Sequence, residues 1–148
     1  MIRQLAAAEL GRLDPLGREF YGTSRFLETF SIERFFEIWE ALLANGAGVI
    51  FGEDCAGELV GVMGGIIHRD IYGEELIAEE MFWFVREASR GAGIRLYAAF
   101  EKWARKKGAA SIQMVHLLDV MPEKVARFYL RAGYDPIETR YAKRLVAR

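Results

Sequence analysis

The sequence predicts one α/β domain (α+β, mixed sheet), a central sheet with helices on both faces, and three observations carry that expectation. Apolar spacing switches between helical and strand periods along the chain in the order αα, β-hairpin, β, α, β, α, β. The run Leu76-Ile77-Ala78-Glu79-Glu80-Met81-Phe82-Trp83-Phe84-Val85 is apolar on both parities, as a central strand covered on both faces must be. A glycine-bearing turn then feeds that strand into a further helical stripe. With 148 residues, 52% of them hydrophobic, the chain can bury a proper core but is short for two ordinary domains. It has three prolines and no Ser/Gly-rich stretch to mark a linker, so residues 1–148 are read as a single domain.

The elements follow in order. Residues 6–21 and 32–43 have helical spacing; Phe35, Ile38, Trp39 and Leu42 form the second stripe, Ser31 is its N-cap and Asn45-Gly46 its stop. Gly48-Val49-Ile50-Phe51-Gly52, a charged turn over 53–58 containing Gly57, and the Val/Ile/Met-rich residues 59–67 predict a β-hairpin. The central strand covers 76–85. A helix over 93–107 turns Leu96, Ala99, Phe100 and Trp103 inward and stops at Gly108. A strand over 111–118, a helix over 123–132 and a last strand over 141–146 complete the set.

Charge and cysteine content exclude several classes. Twenty basic against twenty-one acidic residues leave a net charge of -1, without the basic footprint of nucleic-acid binding, so no nucleic-acid partner is expected. Cys55 alone cannot form an internal disulfide, and with only His68 and His116 beside it a four-ligand zinc set is excluded; no metal is expected. Cys55 also lacks a histidine or basic neighbour that would activate it as a nucleophile. No apolar stretch has the length of a membrane span or a signal-peptide core, so no membrane partner and a cytoplasmic location are expected.

The most informative stretch is Phe84-Val85-Arg86-Glu87-Ala88-Ser89-Arg90-Gly91-Ala92-Gly93-Ile94-Arg95-Leu96. Glycines between a strand and a helix let backbone N–H groups converge on a phosphate at the positive end of the helix dipole. Arg90 and Arg95 oppose that dipole unless an anion offsets both, so Arg90, Gly91, Ala92, Gly93, Ile94 and Arg95 form a candidate anion site. The alternative is a tight turn flanked by solvated arginines. A P-loop would need G-x-x-x-x-G-K-[ST], and a dinucleotide fold a third glycine where Leu96 stands; neither fits.

The stretch resembles the pyrophosphate loop of the GNAT acetyltransferases, [QR]-x-x-G-x-[GA], in one of two registers. Counting from Arg90 places Gly93 on the motif glycine but Arg95 on the final small position. Counting from Ala88 places Gly91 and Gly93 on both small positions and loses the arginine; this register is favoured for the helix, with Arg90 reaching the phosphates from a displaced position. Downstream, Phe128-Tyr129-Leu130-Arg131-Ala132-Gly133-Tyr134 resembles the family ending L-Y-x-x-x-G-F, while Pro122 stands where many relatives carry asparagine.

The resemblance implies a GNAT-like fold, acetyl-coenzyme A as cofactor, and N-acetyl transfer to a primary amine by direct attack. It implies backbone contacts from Phe84 and Val85 to the pantetheine amide, and Tyr129 as general acid toward the departing thiolate. A core tyrosine bonded to a backbone partner is the other reading of Tyr129. Glu79 and Glu80 in an apolar strand must meet solvent, a cation or a cleft, and a carboxylate of raised pKa can take a proton from an incoming ammonium. An edge glutamate paired with an arginine is the alternative. His116 is expected to be packed rather than catalytic. The acceptor, a small-molecule or peptide amine, would meet Phe20, Tyr21, Arg25, Phe26 and Phe30 and the loop at Asp70, Ile71 and Tyr72. A homodimer is left open. Two competing readings are a catalytically inactive coenzyme A-binding sensor or interaction module of the same fold, and a nucleotide-binding domain of another kind.

Overall fold

The computed structural model describes residues 1–24, 29–89 and 91–146. Among them, one sheet has the order β1 (Ile2–Gln4), β2 (Gly48–Cys55), β3 (Glu58–Arg69), β4 (Leu76–Val85), β5 (Ser111–Gln113). The first four strands pair antiparallel and β5 runs parallel to β4, giving the mixed sheet of an α/β fold. Helices α1 (Asp14–Thr23) and α2 (Ile32–Ala44) precede β2, α3 (Ala92–Lys106) follows β4, and α4 (Pro122–Arg131) follows β5.

Local chemistry sets the boundaries. Ser31 Oγ accepts from the Arg34 N–H at 3.3 Å, the expected N-cap of α2. The predicted first helix divides into a 3-10 segment, Ala7–Leu13, and α1, whose first turn contains Pro15; proline lacks the N–H that a continuous helix would need there. Between β2 and β3 the chain turns through Ala56 (φ 51) and Gly57 (φ 87), the two left-handed positions of a tight hairpin turn.

Both faces of the sheet are covered. Phe82 and Phe84 of β4 pack with Leu10, Leu13, Leu16, Trp39 and Val62. On the other face Ala78, Trp83 and Val85 pack with Met63, Leu96, Phe100 and Ala104. The two faces therefore account for the apolar residues on both parities of β4. The β3–β4 register passes from Gly64↔Phe82 to Gly65↔Glu80, leaving Met81 as a bulge. Gly64 and Gly65 lie where a Cβ would collide with the rings of Phe82 and Phe100, respectively.

Two expectations need correction, and one strand stands outside them. The predicted strand over 111–118 is regular only at Ser111–Gln113, and the chain then leaves the sheet. Residues 141–146 form no strand: Tyr141, Leu145 and Val146 are exposed, and without a neighbouring strand their backbone groups have no ladder to join. β1 was not expected, because a three-residue strand carries no readable period. Among the described residues, no helix is long and apolar enough to cross a membrane.

Candidate active site

The site begins where β5 parts from β4. The two strands pair only at Ile77↔Ser111, Ala78↔Ile112 and Glu79↔Gln113, while β4 continues to Val85. Among the described residues, the β5-side edge of residues 80–85 has no strand partner. The Arg86 N–H donates to the Val60 carbonyl at 2.9 Å. Antiparallel alternation then turns the main-chain groups of Phe84 toward β3 and those of Trp83 and Val85 toward the free edge. This corrects the expectation for Phe84, whose ring also packs on Phe20 at 5.7 Å on the α1–α2 face. Val85 and Trp83 lie at the free edge.

At the end of this edge stands the N-terminus of α3. Gly91 is its N-cap with no side-chain hydrogen bond, and the first turn carries no acidic residue. The first-turn N–H groups are therefore without a side-chain acceptor from the cap. Ala92 and Gly93 are buried, Ile94 is exposed, and a Cβ on Gly93 would lie 3.3 Å from Trp83 Cζ2. The missing side chain lets α3 settle on the Trp83 indole. Arg90 lies outside the described residues.

Arg95 already has an anion. Its guanidinium Nη2 lies 3.1 Å from Glu53 Oε1 on β2. Burial pushes the Glu53 carboxyl up, but hydrogen bonds from Arg95 and from the Met1 ammonium outweigh it and hold the pKa below the usual carboxylate value. The charge that opposes the α3 dipole is thus offset within the free protein.

Glu79 and Glu80 occupy opposite faces of β4, as consecutive strand residues must. Glu80 is only 5% exposed, and its Oε2 accepts from the Val115 N–H at 3.1 Å. The Val115 carbonyl in turn accepts from the Tyr129 hydroxyl at 2.7 Å. Burial pushes the Glu80 carboxyl up to about 7, opposed by the Val115 N–H and reinforced by the charge of Glu79. Burial, with the neighbouring Glu80, drives the Tyr129 phenol well above its ordinary value. Glu79 is partly exposed, and its Oε2 lies 3.2 Å from His68 Nε2, whose Nδ1 faces the Arg69 carbonyl at 2.8 Å. His68 was not singled out for this role because its strand spacing links it to nothing until β3 and β4 pair.

Trp83 joins the parts. Its ring stands 6.0–6.4 Å from Phe128, Tyr97 and Tyr129. The Nε1–H is buried without a hydrogen-bond acceptor among the described residues. An orphaned donor, a free strand edge and an uncapped helix N-terminus in one line fit a long ligand with amide and phosphate groups.

The remaining candidates are dispersed. The Tyr21 and Phe30 rings meet at a tilt with centroids 5.0 Å apart, and Phe30 continues to Phe35 at 6.3 Å, so these aromatics belong to the packing of α1 and α2. Arg25 and Phe26 lie outside the described residues. Ile71 and Tyr72 are exposed in the loop between β3 and β4. Contrary to expectation, His116 is exposed: it lies beyond the end of β5, where the chain has left the sheet. Cys55 is exposed too.

Known proteins share this fold. The chain is similar in structure to a putative acetyl transferase from Pyrococcus furiosus (24% identity, TM-score 0.74, covering 98% of this chain and 99% of that one). A ribosomal-protein-alanine N-acetyltransferase from Brucella melitensis is also similar (16%, TM-score 0.72, 98% and 99%). So is AAC(6′)-Iy in complex with a coenzyme A bisubstrate analogue (16%, TM-score 0.74, 99% and 98%). At these identities the likeness shows the common fold. No curated protein matches the chain by sequence. The model of the acetyltransferase (GNAT) family matches residues 15–134, most of the chain, and with the split sheet and the glycine turn it establishes that this chain belongs to that family.

Proposed function

We propose that the chain is an acetyl-coenzyme A-dependent N-acetyltransferase that moves the acetyl group to a primary amine by direct attack. The observation that carries this reading is the free edge of β4 at Trp83 and Val85, running into the uncapped N-terminus of α3 beside Tyr129.

The main-chain groups of Trp83 and Val85 hold the pantetheine amides as an added strand would be held. The N–H groups of Gly91, Ala92, Gly93 and Ile94 receive the pyrophosphate, with Arg90 as a further cation and Arg95 shared with Glu53. When bound, acetyl-coenzyme A supplies the activated acyl carbon and a thiolate leaving group. Glu79, on the more accessible face beside His68, takes the proton from the incoming ammonium. Tyr129 shifts its hydroxyl proton from the Val115 carbonyl to the departing sulfur. Positioning of amine and thioester contributes the larger part of the acceleration.

The acceptor is a small-molecule or peptide primary amine; the structurally similar proteins include a ribosomal-protein-alanine N-acetyltransferase and AAC(6′)-Iy in complex with an acetylneamine-bearing bisubstrate analogue. Incubation with acetyl-coenzyme A and a panel of primary amines, read by release of free thiol, tests the reading. Amine-dependent release supports it. Binding of coenzyme A with no release above background across aminoglycosides, polyamines and peptide N-termini overturns it in favour of a non-catalytic coenzyme A-binding module.

A further inference from the structure

We propose that Glu80 is a positioning residue, not the base: its carboxylate holds Val115 across the split between β4 and β5, and Val115 in turn holds the Tyr129 hydroxyl. The inference rests on the reading of the chain as an N-acetyltransferase and divides the work of the two adjacent carboxylates.

Three observations carry it. The first is access: Glu80 is 5% exposed, whereas the Glu79 side chain beside His68 is 27% exposed. A base must pass its proton on to solvent at each turnover, and Glu80 is the worse placed. The second is connectivity. Val115 lies two residues beyond the end of β5, where the ladder to β4 has stopped. The Glu80 Oε2 to Val115 N–H bond, 3.1 Å, replaces that ladder with a side chain. The third is the continuation to Tyr129, whose hydroxyl donates 2.7 Å to the carbonyl of the same Val115. One residue of backbone is gripped at its N–H by β4 and at its carbonyl by α4, so a displacement at Glu80 is felt at the Tyr129 hydroxyl.

The surroundings make the grip pH-sensitive. Glu79 on the same strand and Tyr129 on α4 are the titratable groups acting on Glu80, with Tyr97 of α3 and Tyr134 behind Tyr129; β3 places Gly65 opposite. His116, next to Val115, is exposed. No cation among these groups holds the carboxylate ionised. Ionisation as pH rises through about 7 makes the Val115 bond charge-assisted, and therefore stronger.

The experiment uses the full chain and two substitutions. In amide NMR spectra the Val115 resonance titrates with a midpoint near 7 in the native protein and is flat over that range in Glu80→Gln. In kinetics Glu80→Ala lowers kcat about tenfold, the factor expected for losing one hydrogen bond to a charged group, with KM for acetyl-coenzyme A unchanged. Glu80→Gln, whose amide oxygen still accepts from Val115, recovers most of that loss. In a Tyr129→Phe background Glu80→Ala adds little, because it acts through the missing hydroxyl. If Glu80→Gln is as slow as Glu80→Ala and recovers only where the amine deprotonates, Glu80 is the base and the proposal is overturned. A Val115 amide resonance left unchanged by Glu80→Ala overturns it as well. A native protein that acetylates no amine while Val115 still titrates refutes the N-acetyltransferase reading but leaves the grip of Glu80 on Val115 established.

Discussion

Arg95 in the first turn of α3 and Glu53 on β2 form an ion pair at 3.1 Å, so the start of the helix is tied to a strand two places away from β4 in the sheet. A cation at that end of a helix is unfavourable alone, and the carboxylate offsets it.

The pair makes a signed prediction for Arg95→Ala. At pH 7 the lost pair, worth up to about 1 kcal/mol with an exposed guanidinium, is balanced by relief of the dipole repulsion, so the net change stays within about 1 kcal/mol. Glu53 has a folded-state pKa below its ordinary 4.5, so its stabilisation is present above that value and is lost as pH falls through the folded one. Below that folded-state pKa only the dipole relief remains. The variant should therefore gain stability relative to the native protein as pH falls from 7 through the folded-state pKa of Glu53, as read by urea unfolding. A constant difference would mean the pair contributes nothing.

Tyr129→Phe should lower kcat while leaving the affinity for coenzyme A nearly intact, because the hydroxyl acts on the departing sulfur rather than on the resting cofactor. It should also cost about 1 kcal/mol of stability, since the Val115 carbonyl loses its donor. Stopped-flow turnover and thermal unfolding read the two effects separately. Lost stability with an unchanged chemical step would return Tyr129 to a purely structural role.

Glu79→Gln should reduce the rate about 100-fold at neutral pH and recover as the acceptor amine deprotonates in bulk solution. The pH profile of kcat/KM for the amine reads this directly. A uniform loss at every pH would assign Glu79 to binding instead of proton removal.

Gly65→Ala tests the close packing opposite Glu80, beside the Met81 bulge. An added Cβ would meet the Phe100 ring and lie 2.8 Å from the Glu79 carbonyl, so the variant should lose about 1–3 kcal/mol. Denaturant unfolding measures it, and a neutral outcome would show that the contact between β3 and α3 is looser than drawn.

The features legible in the sequence are those carried by short-range pattern. The hairpin could be read from Gly57 between two β-rich runs, the central strand from its double parity, and α2 from Ser31 and its stripe. What could not be read depends on pairing between distant residues. β1 pairs Ile2 with Glu53, a contact that three residues of local pattern cannot announce. The orientation of Phe84 and Trp83 is decided by which main-chain groups β3 takes, as the Arg86 bond to Val60 reveals. The partner of Glu80 is a backbone N–H on Val115, and backbone donors leave no mark in residue identity. At residues 141–146 apolar content suggested a strand, but no sheet edge meets it.

The most direct measurement is transfer itself, followed by mass spectrometry with acetyl-coenzyme A carrying a trideuterated acetyl group. The account predicts a primary amine that gains the labelled acetyl group, one free thiol for each acetyl moved, and loss of that product in Tyr129→Phe and Glu79→Gln while both variants still bind coenzyme A. Coenzyme A bound and released with its acetyl group intact, and no labelled amine across the panel, would contradict it.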